Sequence, residues 1–247
     1  MLVLEDDPSD LSTPAGPMRT YTLRPAIEGR QWPGLVLYSE IFQVTAPVRR
    51  LAVTLAGHGF VVTVPEIFHE LEDGPGVVLA YDDAGSARGN DHKYAKALSS
   101  YDDDARAALD HLAAHPACDG SLGAVGICIG GHLALRTAFQ PDVRATACFY
   151  ATDVHTGSLG AGKADDTLAR LGEIGGEVLF VWGRQDPHIP WDGRRLIHDR
   201  VEAAGLDHAW HEFDAQHAFL RDEGHRYDPA LAHLTLGLVL DLLRRRL

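Results

Sequence analysis

Two periods of hydrophobicity run through the chain. Gly34-Leu35-Val36-Leu37-Tyr38 is a continuous apolar run of buried-strand length, and Phe60 to Val64, Leu122 to Val125, Arg144 to Tyr150 and Glu177 to Gly183 repeat that pattern. Continuous runs of this kind belong to strands covered on both faces, as in a parallel sheet. Between them the spacing becomes helical. Val48, Leu51, Ala52 and Leu55 fall on one face of a helix entered through Pro47 and closed by Gly57 and Gly59. Tyr101, Ala105, Ala108, Leu109 and Leu112 share a second face that ends by His115-Pro116. Arg19 to Arg24 alternates like a half-exposed strand, a helix is predicted from about Trp191 to Ala204, and His208 to Phe213 is the last strand. Asp228 is a cap and Pro229 the first residue of a C-terminal helix with Leu231, Leu234 and Leu238 facing inward.

Strand, helix and strand in repeated order predict an α/β fold: a mainly parallel sheet with helices on both faces. Two stretches resist this reading. The Gly- and Asp-rich segment between Pro65 and Tyr94 is expected to be a long loop of the kind that covers a site. The segment from Asp153 to Gly176 is Gly-rich, with one short helix.

Length and composition narrow the picture. At 247 residues and 45% hydrophobic content, one α/β domain over residues 19–247 is expected, preceded by a loose acidic leader over 1–18 that carries Glu5, Asp6, Asp7 and Asp10. That leader is the opposite of a signal peptide. A net charge of -13 argues against a nucleic-acid partner, and the triplet Arg244-Arg245-Arg246 reads as cations at a helix C-terminus. No stretch reaches the roughly 20 apolar residues of a membrane span. Three cysteines, Cys118, Cys128 and Cys148, are no disulfide framework and suggest a reducing, cytoplasmic setting. His111 and His115 lie four apart on a helix without a further ligand and read as a surface pair, so no metal and no cofactor are expected.

The candidate chemistry centres on Gly126-Ile127-Cys128-Ile129-Gly130-Gly131, which lies where a strand gives way to a helix. In this nucleophile elbow, G-x-C-x-G in place of G-x-S-x-G, glycines relieve a sharp turn and the central side chain stands above the sheet. The helix N-terminus favours a thiolate, and the N–H of Ile129 is free to bind an oxyanion. In a doubly wound sheet, functional groups gather at the carboxyl ends of strands. Asp186 follows one strand, in Gly183-Arg184-Gln185-Asp186-Pro187, and His217 follows the last, in Asp214-Ala215-Gln216-His217-Ala218-Phe219. Nucleophile, acid and histidine in this order match the α/β hydrolases, with His217 as base and Asp186 fixing its tautomer. Cys118 and Cys148 read as loop and core residues.

These motifs resemble the dienelactone hydrolase (carboxymethylenebutenolidase) family, from roughly Tyr38 to the last helix. Ser39-Glu40-Ile41-Phe42 is similar to the family's Q-E-I-F segment, the elbow to its G-x-C-x-G-G, Gly183 to Asp186 to its G-x-x-D turn, and His217 to Arg221 to its H-x-F-x-R segment. The resemblance implies an α/β-hydrolase fold and a Cys128-Asp186-His217 triad acting on a small ester or lactone through a thioester. It also implies an oxyanion hole from the N–H groups of Ile41 and Ile129. Glu40 matches the family glutamate that contacts the resting thiol, and Arg221 the arginine that binds the substrate carboxylate. A carboxylate after the Leu35 to Tyr38 strand is also placed to modulate a proton at the elbow. The family's second arginine has no assigned equivalent in Arg88-Gly89-Asn90-Asp91-His92-Lys93, and His132 stands where the best-known members have a small residue. The rival readings are a broad carboxylesterase or thioesterase, and a small-ligand binder or thiol redox sensor built on Cys128.

Overall fold

The apolar runs become the middle of one nine-stranded sheet in the computed structural model, which describes residues 1–247. The strands are β1 (Val3–Glu5), β2 (Ser9–Thr13), β3 (Gly16–Pro25), β4 (Trp32–Tyr38), β5 (Val61–Pro65), β6 (Cys118–Ile127), β7 (Val143–Phe149), β8 (Glu177–Gly183) and β9 (His208–Phe213). They lie in the order β1-β3-β5-β4-β6-β7-β8-β9, with β2 also paired to β3. From β5 across to β9 every neighbouring pair is parallel, and β1, β2 and β3 join antiparallel.

The helices are α1 (Ala46–Gly57), α2 (Asp83–Ala95), α3 (Leu98–Ala114), α4 (Ile129–Thr137), α5 (Thr167–Arg170), α6 (Trp191–Ala203) and α7 (Pro229–Arg246). Two glycines show how both faces of the sheet are covered. Gly34 pairs with Leu122, and a Cβ on it would meet Leu112 of α3. A Cβ on Gly123, one residue along and so on the opposite face, would meet Leu247 at the end of α7. The fold is that of the α/β hydrolases, with a mostly parallel central sheet. No helix is long and apolar enough to cross a membrane.

Three expectations are corrected. The acidic leader is not loose. Its residues form β1 and β2, laddered to β3, and its charges have cross-strand partners: Asp6 with Arg24 at 2.9 Å and Asp10 with Arg19. Composition counted the acids without the arginines that face them. The segment between Pro65 and Tyr94 contains α2, capped by Asp82, whose carboxylate accepts from the Gly85 N–H at 2.8 Å. Its buried positions are Gly85, Gly89 and Lys93, a stripe at i, i+4, i+8 without a single apolar side chain. Hydrophobic periodicity is blind to such a helix. Along α7, Leu231 and Leu238 pack against the core as expected, but Leu234 is exposed, and the buried positions are Thr235, Val239, Leu240, Leu242 and Leu243.

Candidate active site

The floor of the site is the β6–α4 turn. Cys128 sits there with φ 60° and ψ -125°, a backbone conformation that is strained for any residue with a Cβ. The surrounding glycines are required by close approach. A Cβ on Gly126 would lie 1.8 Å from the Gly130 carbonyl oxygen, one on Gly130 would lie 2.4 Å from that of Tyr38, and one on Gly131 2.7 Å from that of Phe149. Main-chain bonds pin the turn: the Cys128 N–H donates to Phe149 O at 3.1 Å, and Cys128 O accepts from Gly131 at 3.0 Å and Thr152 at 3.3 Å. The N–H groups of Ile129, at the first position of α4, and of Ile41, in the loop after β4, donate to no protein acceptor. The contact of Gly130 with the Tyr38 and Ser39 carbonyls brings that loop against the elbow.

Asp186 and His217 come together from the turns after β8 and β9. Gly183 permits this, since a Cβ there would lie 2.4 Å from Ala215 O. His217 Nδ1 is 2.6 Å from Asp186 Oδ2, and Asp186 Oδ1 accepts from the His188 N–H at 2.8 Å. Both side chains are buried. Burial by itself pulls the His217 pKa down, but the Cys128 sulfur and the Asp186 carboxylate more than offset it and push the value up to about 10. With Nδ1 committed to Asp186, Nε2 is the nitrogen left for Cys128. The Tyr150 and His188 rings meet the His217 ring edge-on, with centroids 4.9 and 4.7 Å away.

Glu40 is 2% exposed beside this pair. Burial pushes its carboxyl pKa up, with Arg221, His217 and Tyr81 opposing the rise. Arg221 Nη1 lies 3.7 Å from Glu40 Oε2, its guanidinium carbon 4.2 Å above the Tyr81 ring, and its Nε donates to Glu223 O at 3.2 Å. The Tyr81 hydroxyl is 2.7 Å from Thr45 Oγ1 and 3.4 Å from Glu40 Oε2.

A cleft of about 1040 Å³ opens over these groups, lined by Cys128, His217, Glu40, Ile41 and Arg221 among others. The sequence-predicted site residues are thus brought to one place. The opposite wall is α2, where Gly89 lets the helix approach to within 2.5 Å of Ile41 O, measured from the Cβ it lacks. Of the segment Arg88 to Lys93, Arg88 pairs with Glu72 outside the cleft, while Asn90 and Lys93 line it. Lys93 donates to Asp153 Oδ2 at 2.9 Å, and Asp153 also accepts from Tyr94 and Ser158.

Tyr81, Lys93 with Asp153, His188 and Arg226 all line or adjoin the cleft, and sequence reasoning did not single them out for a role there. The usable signal for the α2 residues was the Asp82 cap followed by glycines four apart. His132 is fully buried beneath the floor. Its Nδ1 donates to Thr152 O at 2.9 Å, and its Nε2 is 2.9 Å from Thr167 Oγ1 and 3.2 Å from Asp165 Oδ2. Thr152 in turn donates to Cys128 O, so the imidazole that replaces a small residue braces the elbow from below.

Comparison with known proteins places this geometry. The profile of the dienelactone hydrolase family matches residues 18–247. A Saccharomyces cerevisiae protein provisionally named carboxymethylenebutenolidase is 39% identical over 240 residues, covering 93% of this chain and 87% of that protein. A carboxymethylenebutenolidase of Pseudomonas putida is 28% identical over 217 residues, 85% of each chain. Among solved structures, a dienelactone hydrolase-like promiscuous phosphotriesterase from metagenomic libraries superposes with a TM-score of 0.78 at 21% identity, over 100% of this chain and 99% of that one. The chain belongs to the dienelactone hydrolase family and is a hydrolase.

Proposed function

We propose that the chain hydrolyses a small ester or lactone, with Cys128 as nucleophile. The observation that carries this reading is the strained elbow that presents Cys128 to a histidine already oriented by Asp186. His217, pushed up to about 10 beside the Cys128 sulfur and Asp186, holds its proton at neutral pH and is ready to pass it to a leaving alkoxide. Attack of the sulfur on the carbonyl carbon moves the π electrons onto oxygen, where the N–H groups of Ile41 and Ile129 receive the charge. Collapse expels the alkoxide, which takes the proton from His217 Nε2 and leaves a thioester on Cys128. In a lactone the alcohol so formed stays tethered to the acyl group. His217 then takes a proton from water as the water attacks the thioester. The acid departs and the sulfur leaves beside the protonated His217, ready for the next cycle.

Arg221, held over Tyr81 and beside Glu40, is placed to share its charge with a substrate carboxylate, which makes a lactone bearing an acid group the favoured substrate. Glu40 is a buried carboxylate whose proton affinity depends on Arg221 and His217, so binding an anion at Arg221 alters the charge next to the nucleophile. The three unpaired cysteines favour work in a reducing compartment such as the cytoplasm.

The test uses the three thiols. Burial pushes the Cys118 and Cys148 thiols up and away from the reactive thiolate form. An activated aryl ester should give a burst of one alcohol per chain that iodoacetamide abolishes. Cys128→Ala should remove turnover, and Cys118→Ala and Cys148→Ala should keep most of it. Equal losses across the three variants would refute the assignment, and thiol oxidation without any ester turnover would favour the redox sensor.

A further inference from the structure

Away from the cleft, the edge of the sheet carries a second grouping of chemically capable side chains. His198 and Glu202 stand four residues apart on α6, and His208 is the first residue of β9. Glu202 Oε1 is 3.7 Å from His198 Nε2 and 3.6 Å from His208 Nε2, and all three ligand atoms lie within 4.8 Å of one another. Those two gaps are too long for hydrogen bonds. They are close to the separation of two ligand atoms each about 2.0 to 2.2 Å from a shared ion, which is about 3.3 to 3.6 Å across a tetrahedral angle.

The histidines are also prepared as ligands. His208 Nδ1 donates to Leu206 O at 2.9 Å, which fixes the tautomer and leaves the lone pair on Nε2, the atom facing Glu202. His198 is seated edge-on against Trp210, with centroids 4.8 Å apart, and its ring centroid lies 5.8 Å from that of His208. A carbonyl-oriented imidazole and a packed imidazole on either side of one carboxylate form two-thirds of a site, and the exposed Glu202 supplies the rest.

We propose that His198, Glu202 and His208 bind one divalent transition metal, zinc or an ion of similar preference. Two imidazoles and a carboxylate suit zinc, copper and nickel over magnesium or calcium. The fourth position faces solvent and takes water. The metal joins α6 to β9, an edge strand whose only sheet partner is β8. α6 and β9 are also the elements strung between Asp186 and His217, so the ion closes the excursion whose two ends form the acid–histidine pair. This site stands independently of the ester chemistry proposed above.

The experiment is zinc titration by calorimetry, with zinc chloride as the probe, on the full chain carrying Cys128→Ala so that the thiol cannot compete as a ligand. One zinc per chain should bind, and saturating zinc should raise Tm by several degrees. Adding His208→Ala or His198→Ala should weaken binding at least tenfold and remove the thermal shift. Glu202→Gln, on a side chain that is 61% exposed and so without consequence for folding, should weaken it similarly. Cobalt substitution should give visible absorption that the same variants lose. Affinity unchanged by Glu202→Gln and by both histidine variants would overturn the proposal, as would the absence of zinc binding to the parent.

Discussion

At the floor of the cleft, Gly126, Gly130 and Gly131 let three backbone carbonyls approach closer than any Cβ would allow, so the elbow is fixed by main chain alone. On the wall made by α2 and the loop after β9, positions are set by charge pairs between distant side chains: Lys93 with Asp153, Arg221 beside Glu40, Arg88 with Glu72. The difference decides what each region can tolerate. A main-chain turn admits no substitution that adds an atom, but what it takes from distant segments is backbone, which does not change when side chains do. A wall of ion pairs admits new side chains wherever the charge balance survives, which is how one hydrolase scaffold comes to take different substrates.

The sharpest way to break this comparison is Gly126→Ala. A Cβ 1.8 Å from Gly130 O has no flexible neighbour to displace, so the turn itself must open. Loss of about 3 kcal/mol or more is expected, together with loss of activity. Urea denaturation of the variant checks it, and a stable, active Gly126→Ala protein would show that the floor is plastic. On the wall, Lys93→Met should cost about 3 kcal/mol, because it strands the Asp153 carboxylate, which is 10% exposed. Here the loss should be recoverable: Lys93→Met with Asp153→Asn should regain much of it, since no charge is then left unpaired. A double variant no better than the single one would mean that packing, and not charge, holds α2 in place.

The contrast between floor and wall also explains what the sequence disclosed. The glycines and the cysteine that the elbow requires fall within six consecutive residues, so Gly126 to Gly131 read as a motif, and the apolar strands on either side read as a buried sheet. Asp186 and His217 were legible because strand ends are where such a fold collects its chemistry. The wall was not legible. The partner of Lys93 is sixty residues away, and the inward stripe of α2 is two glycines and a lysine, which hydrophobic patterning scores as loop. The leader failed for the same reason, since the arginines that neutralise it lie on the next strand. His132 was noticed only as a departure. Its partners Thr152, Thr167 and Asp165 come from a Gly-rich stretch with no periodicity to locate them.

A smaller effect belongs to the cleft-facing side of the wall. Arg221→Ala should lower kcat/KM about tenfold or more for a lactone bearing a carboxylate, about 1.4 kcal/mol of binding, and barely change it for a neutral aryl ester. The ratio of the two values in parent and variant is the measurement. Equal losses would make Arg221 a support for Glu40 and Tyr81 with no part in recognition. No loss with either substrate would remove the acid-bearing lactone from the proposed function.

The smallest expected effect lies under the floor, where a covered carboxylate does enter the main-chain region. Burial raises the Asp165 pKa, but hydrogen bonding and charge from His132, with Thr167 and Arg136 adding to it, bring it from 3.8 down to about 2. A carboxylate whose folded pKa is below its unfolded value stabilises the protein above the unfolded pKa, and that contribution disappears as pH falls through the folded one. The stabilisation is therefore complete at neutral pH and is lost between about pH 4 and pH 2. Allowing for solvent screening at a partly covered group, it is on the order of 1 kcal/mol. Asp165→Asn should thus lower the unfolding free energy by that amount at pH 7. The two proteins should converge on acidification, because at low pH the parent's Asp165 is itself neutral. Unfolding curves at pH 7, 4 and 2.5 give the comparison directly. A gap that stays constant across the series would assign Asp165 to packing around His132, and the support beneath Cys128 would then be as free of charge as the elbow above it.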